Sequence, residues 1–297
     1  MRHSRGFTLV EIVVVLLIFG IVLAMAAAIT RGVVASQKRS LTATRLATVD
    51  AALVQFVMQQ RRLPCPADGT VASTGPNAGI EGPRNAAGCT GTPPPPAPIM
   101  INGVVPWRAL GLTETEVTDG WDHRLTYRID PVLGGDGGMD MSSCDPAGAE
   151  PPTPPTASRA CTAAGSGPGQ CNSSNLSSCT PPAAFLFGKG ILVRNLVPAL
   201  VMDPTATPNT GAAYVVISGG ETGGGVYLNT GTLATSTTTD GDEEKKNYAN
   251  LGYVSGITYY VDNTTNDAAG AAHFDDVVSR PSILAVAAKA GVAPRGH

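Results

Sequence analysis

Gly6-Phe7-Thr8-Leu9-Val10-Glu11 opens an apolar run that continues from Ile12 to Ile29, 18 residues without a charge and mostly Val, Ile, Leu and Ala. At about 1.5 Å per residue, this run together with Phe7 to Val10 covers most of a roughly 30 Å hydrocarbon core. It is long enough to span a bilayer. Six residues containing Arg2 and Arg5 stand ahead of it. Glu11 lies inside the span, where an unpaired charge costs at least about 2.5 kcal/mol, so the carboxylate needs a partner. A secretory signal peptide would carry an apolar run of about 7–15 residues and a small-residue cleavage site ahead of a change in composition. Here the run is longer, the basic region is very short and no such break follows. The competing reading is a plain single-span anchor with Glu11 snorkelling to the interface.

The helical pattern does not stop at the end of the span. Leu46, Val49, Leu53, Phe56 and Val57 recur at helical spacing, with Thr48, Gln55, Gln59 and Gln60 between them, the stripe of an amphipathic helix. No proline occurs before Pro64. One helix is therefore expected from about Phe7 to about Gln60, roughly 80 Å long, ended by Pro64 and Pro66. Its second half should lay the stripe, Phe56 included, on a sheet. A span followed by an independent linker helix is the alternative.

The remainder, 61–297, is loop-rich. The chain holds 24 prolines and 35 glycines, nearly all beyond residue 60, with 14% charged residues and a net charge of −3. This composition describes short strands and loops, and it lacks the clustered basic face of a nucleic-acid binder. Strands are expected at Leu125–Ile129, at Phe185–Phe187 and Ile191–Val193 around a Gly188-Lys189-Gly190 turn, at Ala213–Ile217, at Gly256–Val261 and at Val277–Val278. Ser282–Gly291 reads as a strand continuing into a short helix. One long helix against short strands gives an α+β fold with an antiparallel sheet. Cys65, Cys89, Cys144, Cys161, Cys171 and Cys179 all lie outside the span. An even set in such a region reads as disulfides in an oxidising compartment. Six cysteines allow 15 pairings and the sequence does not choose among them. Cys65 with Cys89 is the expected pair, because closing a loop of about 25 residues would pin the chain as it leaves the helix. The other four crowd a Ser/Thr/Pro/Gly stretch that has too few large apolar residues for a core of its own. A cysteine metal site lacks a C-x-x-C pair or a nearby histidine.

Chemistry is sparse. Asp119, Asp122 and His123, and separately Asp240, Asp242, Glu243 and Glu244, are carboxylate groups that could in principle hold Ca²⁺. The second group lacks EF-hand spacing, and a solvated acidic loop is the preferred reading, so no cofactor is expected. Ser218 is not a nucleophile elbow, since Val216 occupies the first glycine position. Gly219 to Gly225 follows a strand but precedes no helical pattern, so it is not a phosphate loop. Trp107 and Trp121 read as core or turn aromatics. No catalytic constellation emerges, and the chain is read as not an enzyme.

The order of a short basic leader, the Gly6/Phe7 junction and Glu11 within an apolar run resembles a type IV prepilin signal, as carried by type IV pilins and type II secretion pseudopilins. The resemblance implies cleavage after Gly6 by a prepilin peptidase, methylation of the new amino terminus at Phe7, and pairing of Glu11 with the Phe7 ammonium of a neighbouring subunit. Further pieces resemble pilin-like domains: Leu63-Pro64-Cys65-Pro66-Ala67-Asp68-Gly69, Val105 to Leu112, Asp119-Gly120-Trp121-Asp122-His123, and His273 to Val278. The implied organisation is a leader at 1–6, a long helix at 7–60, and a periplasmic pilin-like domain at 61–297 with a Cys/Pro-rich loop insertion at about 134–182, which simpler subunits lack. Lys and Arg counts around the span, Arg2 and Arg5 against Arg31, Lys38, Arg39 and Arg45, taken alone favour the opposite orientation; the resemblance puts the short leader in the cytoplasm. The implied function is a structural subunit of a pilus or pseudopilus, anchored in the inner membrane and then built into a filament with other subunits, and the size of the part beyond the helix favours a minor or tip role over a bulk one. The alternative is a membrane-anchored periplasmic binding protein, adhesin or enzyme that uses the same anchor.

Overall fold

The computed structural model describes residues 9–90, 102–142, 144, 185–196, 199–234, 240–248, 259–266, 268 and 270–294, with the side chains of 24–31 excepted. Helix α1, Leu9–Gln60, runs for 52 residues, about 78 Å at the α-helical rise. The absence of proline lets it continue past the apolar run. At its end Arg61 takes a positive φ of 57° and its N–H reaches the Val57 carbonyl at 2.8 Å, a left-handed cap. Leu63 before Pro64 is then held away from helical geometry.

The two halves of α1 differ in surroundings. From Leu9 to Leu23 the large apolar side chains are all exposed, Leu9 at 79% and Leu16 at 64%. From residue 42 onward a single stripe of Thr42, Leu46, Val49, Leu53 and Val57 is buried. Phe56 departs from the expected stripe: it is half-buried, and the Arg62 guanidinium covers its ring at 5.0 Å. One position of turn separates it from Val57, so it sits beside the sheet rather than on it.

The stripe rests on a five-stranded antiparallel sheet. Strands β1 (Ala67–Asp68), β4 (Gly103–Val104), β5 (Thr126–Ile129), β8 (Tyr214–Ser218) and β10 (Val277–Ser279) lie in the order β1-β4-β5-β8-β10. At its centre Thr126 pairs with Ile217 and Ile129 with Tyr214. Every residue of β8 is buried. Side chains alternate across a strand, so Tyr214 and Val216 join the cluster holding Leu53 and Val57 while Val215 and Ile217 face a second cluster with Ile191, Val193, Met202 and Tyr260. That second layer is a small sheet of β6 (Val193–Arg194), β7 (Leu200–Met202) and β9 (Tyr260–Val261), in which β6 and β9 run parallel. A hairpin of β2 (Arg84–Asn85) and β3 (Gly88–Cys89) stands apart. Helix α2, Ile283–Lys289, is capped by the Ser282 hydroxyl, which accepts from the Ala285 N–H.

Two strand expectations are corrected. Phe185 and Leu186 form a helical turn: the Leu186 carbonyl accepts from the Lys189 N–H, and Gly188 at φ 75° turns the chain. Ser282 makes an isolated bridge to Ala212 and caps α2; the strand before it, β10, ends at Ser279, so Ser282 does not begin a strand of its own. Of the Gly256–Val261 strand, only Tyr260 and Val261 fall among strand residues; 251–258 lie outside the described residues. The first part of the expected insertion is core: Met139, Met141 and Cys144 are fully buried and the Met141 N–H bonds to the Val292 carbonyl. Residues 145–184 lie outside the described residues.

Polar bonds fix the helix on the sheet at three levels. The Thr42 hydroxyl accepts from the Gly120 N–H at 2.9 Å, and Arg45 donates to the carbonyls of Thr118 and Asp119 at 2.7 Å each. Gly120 is required by close approach, since a Cβ there would stand 2.4 Å from the Lys38 carbonyl oxygen. The third level is Asp50, which accepts from the hydroxyls of Tyr214 at 3.0 Å and Ser279 at 2.7 Å.

Burial pushes the Asp50 carboxyl above its ordinary value, opposed by those two hydrogen bonds and by Lys289. A carboxyl raised on folding favours the fold when protonated, and that contribution fades as pH rises through the raised value. The native chain should therefore gain thermal stability relative to Asp50→Asn on acidification from pH 7 to about pH 4, checked by melting both proteins across that range.

Candidate functional site

Chemistry is concentrated at two places: the start of α1 and a buried acidic pocket under β10. At the first, Glu11 stands exposed in the first turn of α1 among the exposed side chains of Leu9, Val10 and Ile12. A carboxylate at a helix start is favoured by the helix dipole, by about 0.3–1 kcal/mol, far short of the cost of holding a charge in hydrocarbon. Gly6 and Phe7 lie outside the described residues.

Cys65 and Cys89, 24 positions apart, are joined, the pair that the loop argument selects. By chain entropy such a closure is worth about 3 kcal/mol. Beside it, Arg62 holds Glu81 in an ion pair, and the Glu81 carboxylate also accepts from the Cys65 N–H at 2.9 Å. The chain leaving α1 is thus pinned twice. Cys144 is also disulfide-bonded; Cys161, Cys171 and Cys179 lie outside the described residues.

The Asp119–His123 group does not converge on a cation. Asp119 is fully buried, accepting from the N–H groups of Trp121 and His123 at 2.8 and 2.9 Å and from the Ser218 hydroxyl at 2.6 Å. Asp122 is exposed with φ 67°. Asp119 shapes the loop that holds Thr42 and Arg45, and the buried Ser218 ties that loop to β8. Trp107 is core, with the Arg124 guanidinium 5.1 Å from its ring and Gly79, at φ 69°, against its face. Arg124, buried to 1%, pairs with Glu114 at 2.7 Å.

The Asp240–Glu244 run is not the solvated loop expected of it. A 3-10 turn, Glu244–Asn247, follows Gly241, and it directs the acids two ways. Asp242 faces water and pairs with Lys245 at 3.3 Å, and Glu243 accepts from the Tyr259 hydroxyl. Asp240 and Glu244 point inward, at 3% and 2% exposure, and meet the buried His273, Asp275 and Asp276. Glu244 Oε2 accepts from the Gly241 N–H at 2.9 Å and lies 2.8 Å from His273 Nδ1, while Oε1 accepts from the Asp275 N–H at 2.7 Å. The second contact is a hydrogen bond whose proton lies between Nδ1 and Oε2. Asp275 accepts from the N–H and hydroxyl of Thr222 at 2.9 and 3.1 Å, Asp276 from Asn247 at 2.7 Å, and Asp240 from the Tyr248 hydroxyl.

Electrostatics follow from this crowding. Burial, with Glu244 adding to it, pushes Asp275 up to about 6, and burial followed by the Glu244 charge holds Asp276 well above the usual carboxylate range. Burial alone would lower His273, but its hydrogen bond to Glu244 and the surrounding acids raise it on balance. The ligand atoms of Glu244, His273 and Asp275 lie within 4.8 Å of one another. Both halves of this pocket are visible in the sequence, as an acidic run and as His273-Phe274-Asp275-Asp276. Nothing in their spacing of 29 residues says that they meet.

Residues 1–27 match the family model of the prokaryotic N-terminal methylation motif, the prepilin signal of type IV pilins and pseudopilins. No curated protein and no solved structure shows a match to the chain.

Three buried hydrogen bonds converge on Glu244, so Glu244→Ala should cost about 2 kcal/mol or more, exceeding the relief of repulsion with Asp275. Asp242→Ala, on the exposed side of the same turn, should stay within about 0.5 kcal/mol. Urea unfolding of the full chain in detergent measures both.

Proposed function

We propose, from the prepilin motif on residues 1–27, that this chain is a type IV pilin-like or pseudopilin-like subunit, a minor or tip component rather than the bulk of a filament. The reading is carried by one conjunction: the motif ends in a rod whose side chains from Leu9 to Leu23 are exposed on every side, with one carboxylate near its start. In this scheme a prepilin peptidase cuts after Gly6 and Phe7 is methylated. The span then leaves the inner membrane for a helical bundle, where burial between subunits replaces burial in lipid and packing drives association. Glu11 meets the Phe7 ammonium of a neighbour, since a buried carboxylate opposite a buried ammonium is tolerated only as a pair.

The size of the rest supports the minor role. A soluble part of roughly 235 residues, large against common single domains, would crowd a helical lattice if repeated at every position. The Cys/Pro-rich insertion at about 134–182, beyond its core segment Met139 to Cys144, is read as a binding surface carried on a rigid scaffold. We take the domain to be periplasmic and non-catalytic, without nucleic-acid partners. Its disulfides favour an oxidising compartment.

Glu11→Ala should leave membrane insertion intact and impair incorporation into filaments, scored in sheared filament preparations; normal incorporation would defeat the scheme. Gly6 replaced by a bulky residue should block maturation and leave the chain about 0.7 kDa heavier, on six residues of average mass, as read by mass spectrometry of the native amino terminus.

A further inference from the structure

We propose that Glu244, His273 and Asp275 form a binding site for a divalent transition cation of the Zn²⁺ class, which closes the carboxyl-terminal third of the domain. The inference is independent of the amino-terminal helix. Three chain segments meet here: the turn after Gly241, the stretch His273 to Asp276 ahead of β10, and the loop of Thr222. Their donor atoms, one imidazole nitrogen and two carboxylates, lie within 4.8 Å of one another and all three residues are buried. The set is more than a patch of acid, because a buried imidazole nitrogen stands with the two carboxylates inside that distance. Two buried carboxylates this close are eased by a cation between them, either a shared proton or a metal ion.

Donor chemistry selects the kind of metal. Ca²⁺ takes oxygen ligands, whereas an imidazole beside carboxylates suits Zn²⁺ and its first-row neighbours. Coordination requires the proton between His273 Nδ1 and Glu244 to leave for solvent, and their hydrogen bond is replaced by bonds from both groups to one ion. Binding therefore releases a proton and weakens as pH falls. The backbone already orients the ligands: Gly241 and Asp275 N–H groups hold Glu244, and Thr222 holds Asp275. Such outer contacts fix ligand geometry. A structural metal suits a loop-rich region, where a cross-link substitutes for core.

The test uses the untagged full-length chain in detergent, stripped with chelator and titrated separately with Zn²⁺, Mn²⁺ and Ca²⁺ by calorimetry. Among the described residues no cysteine is free, and a thiol-alkylated sample run alongside removes any competition from Cys161, Cys171 and Cys179. The expected result is one Zn²⁺ per chain with proton release, affinity about tenfold or more weaker in His273→Gln, and no change in the exposed control Asp242→Asn. If His273→Gln does not fold, pulsed EPR of the native chain loaded with Mn²⁺ should show a directly bonded nitrogen. The proposal is overturned by no Zn²⁺ uptake, by uptake that His273→Gln leaves unchanged, by Ca²⁺ binding in preference to Zn²⁺, or by an EPR spectrum without nitrogen coupling. The first of these outcomes would assign the carboxyl pair a shared proton.

Discussion

A rod that is apolar on every side cannot be satisfied by the chain that carries it. Between Leu9 and Leu23 no face of α1 is covered. At about 25 cal/mol per Å² of apolar surface, leaving that length in water would outweigh the few kcal/mol that hold most domains together. The domain cannot fold back over it, because its core is already committed to the stripe from Thr42 to Val57. The molecule is thus divided into a part completed by its own sheet and a part whose apolar surface stays open. The prepilin motif falls on the second part.

The second half of α1 is held on the domain by apolar and by polar contacts. Leu46, Val49, Leu53 and Val57 supply buried area, but area alone allows a helix to slide or turn on a sheet by small amounts. Thr42, Arg45 and Asp50, spaced over about 12 Å of helix, each engage a fixed partner: the Gly120 N–H, the carbonyls of Thr118 and Asp119, and the hydroxyls of Tyr214 and Ser279. Buried hydrogen bonds are modest in net energy yet costly to leave unmade, so they select one register. Asp119 serves this indirectly, since its carboxylate shapes the loop that presents those carbonyls.

The helix was legible because its signals are local and agree: no proline before residue 64, continuous apolarity and then a stripe at helical spacing. The strands at Thr126–Ile129, Tyr214–Ser218 and Val277–Ser279 were legible for the same reason, from apolar and alternating runs. Phe185-Leu186-Phe187 misled because an apolar triplet beside glycines also fits a turn, and here the Leu186 and Pro204 carbonyls recruit the following N–H groups. Phe56 misled because a stripe read by spacing ignores a cation that can cover a ring, as Arg62 does. The acidic pocket was beyond local reading altogether. Asp240, Asp242, Glu243 and Glu244 look alike in sequence, and only the 3-10 turn after Gly241 sends two of them inward.

Glu11 and Glu244 pose one electrostatic problem in two settings. Both carboxylates sit where water is scarce, Glu244 in the folded domain and Glu11 once the span is covered, and a carboxylate there is tolerable only when donors or a cation face it. In the loop-rich domain the backbone itself can turn toward a carboxyl, and the N–H groups of Gly241 and Asp275 do so for Glu244, with His273 Nδ1 hydrogen-bonded beside them. Inside a helix that supply is missing, because beyond the first turn every N–H is spent on the carbonyl four residues back. Glu11, in the first described turn of α1, can draw on the helix dipole. The regularity of α1 therefore leaves its backbone donors less free to turn toward a side chain than those of the loops around Glu244.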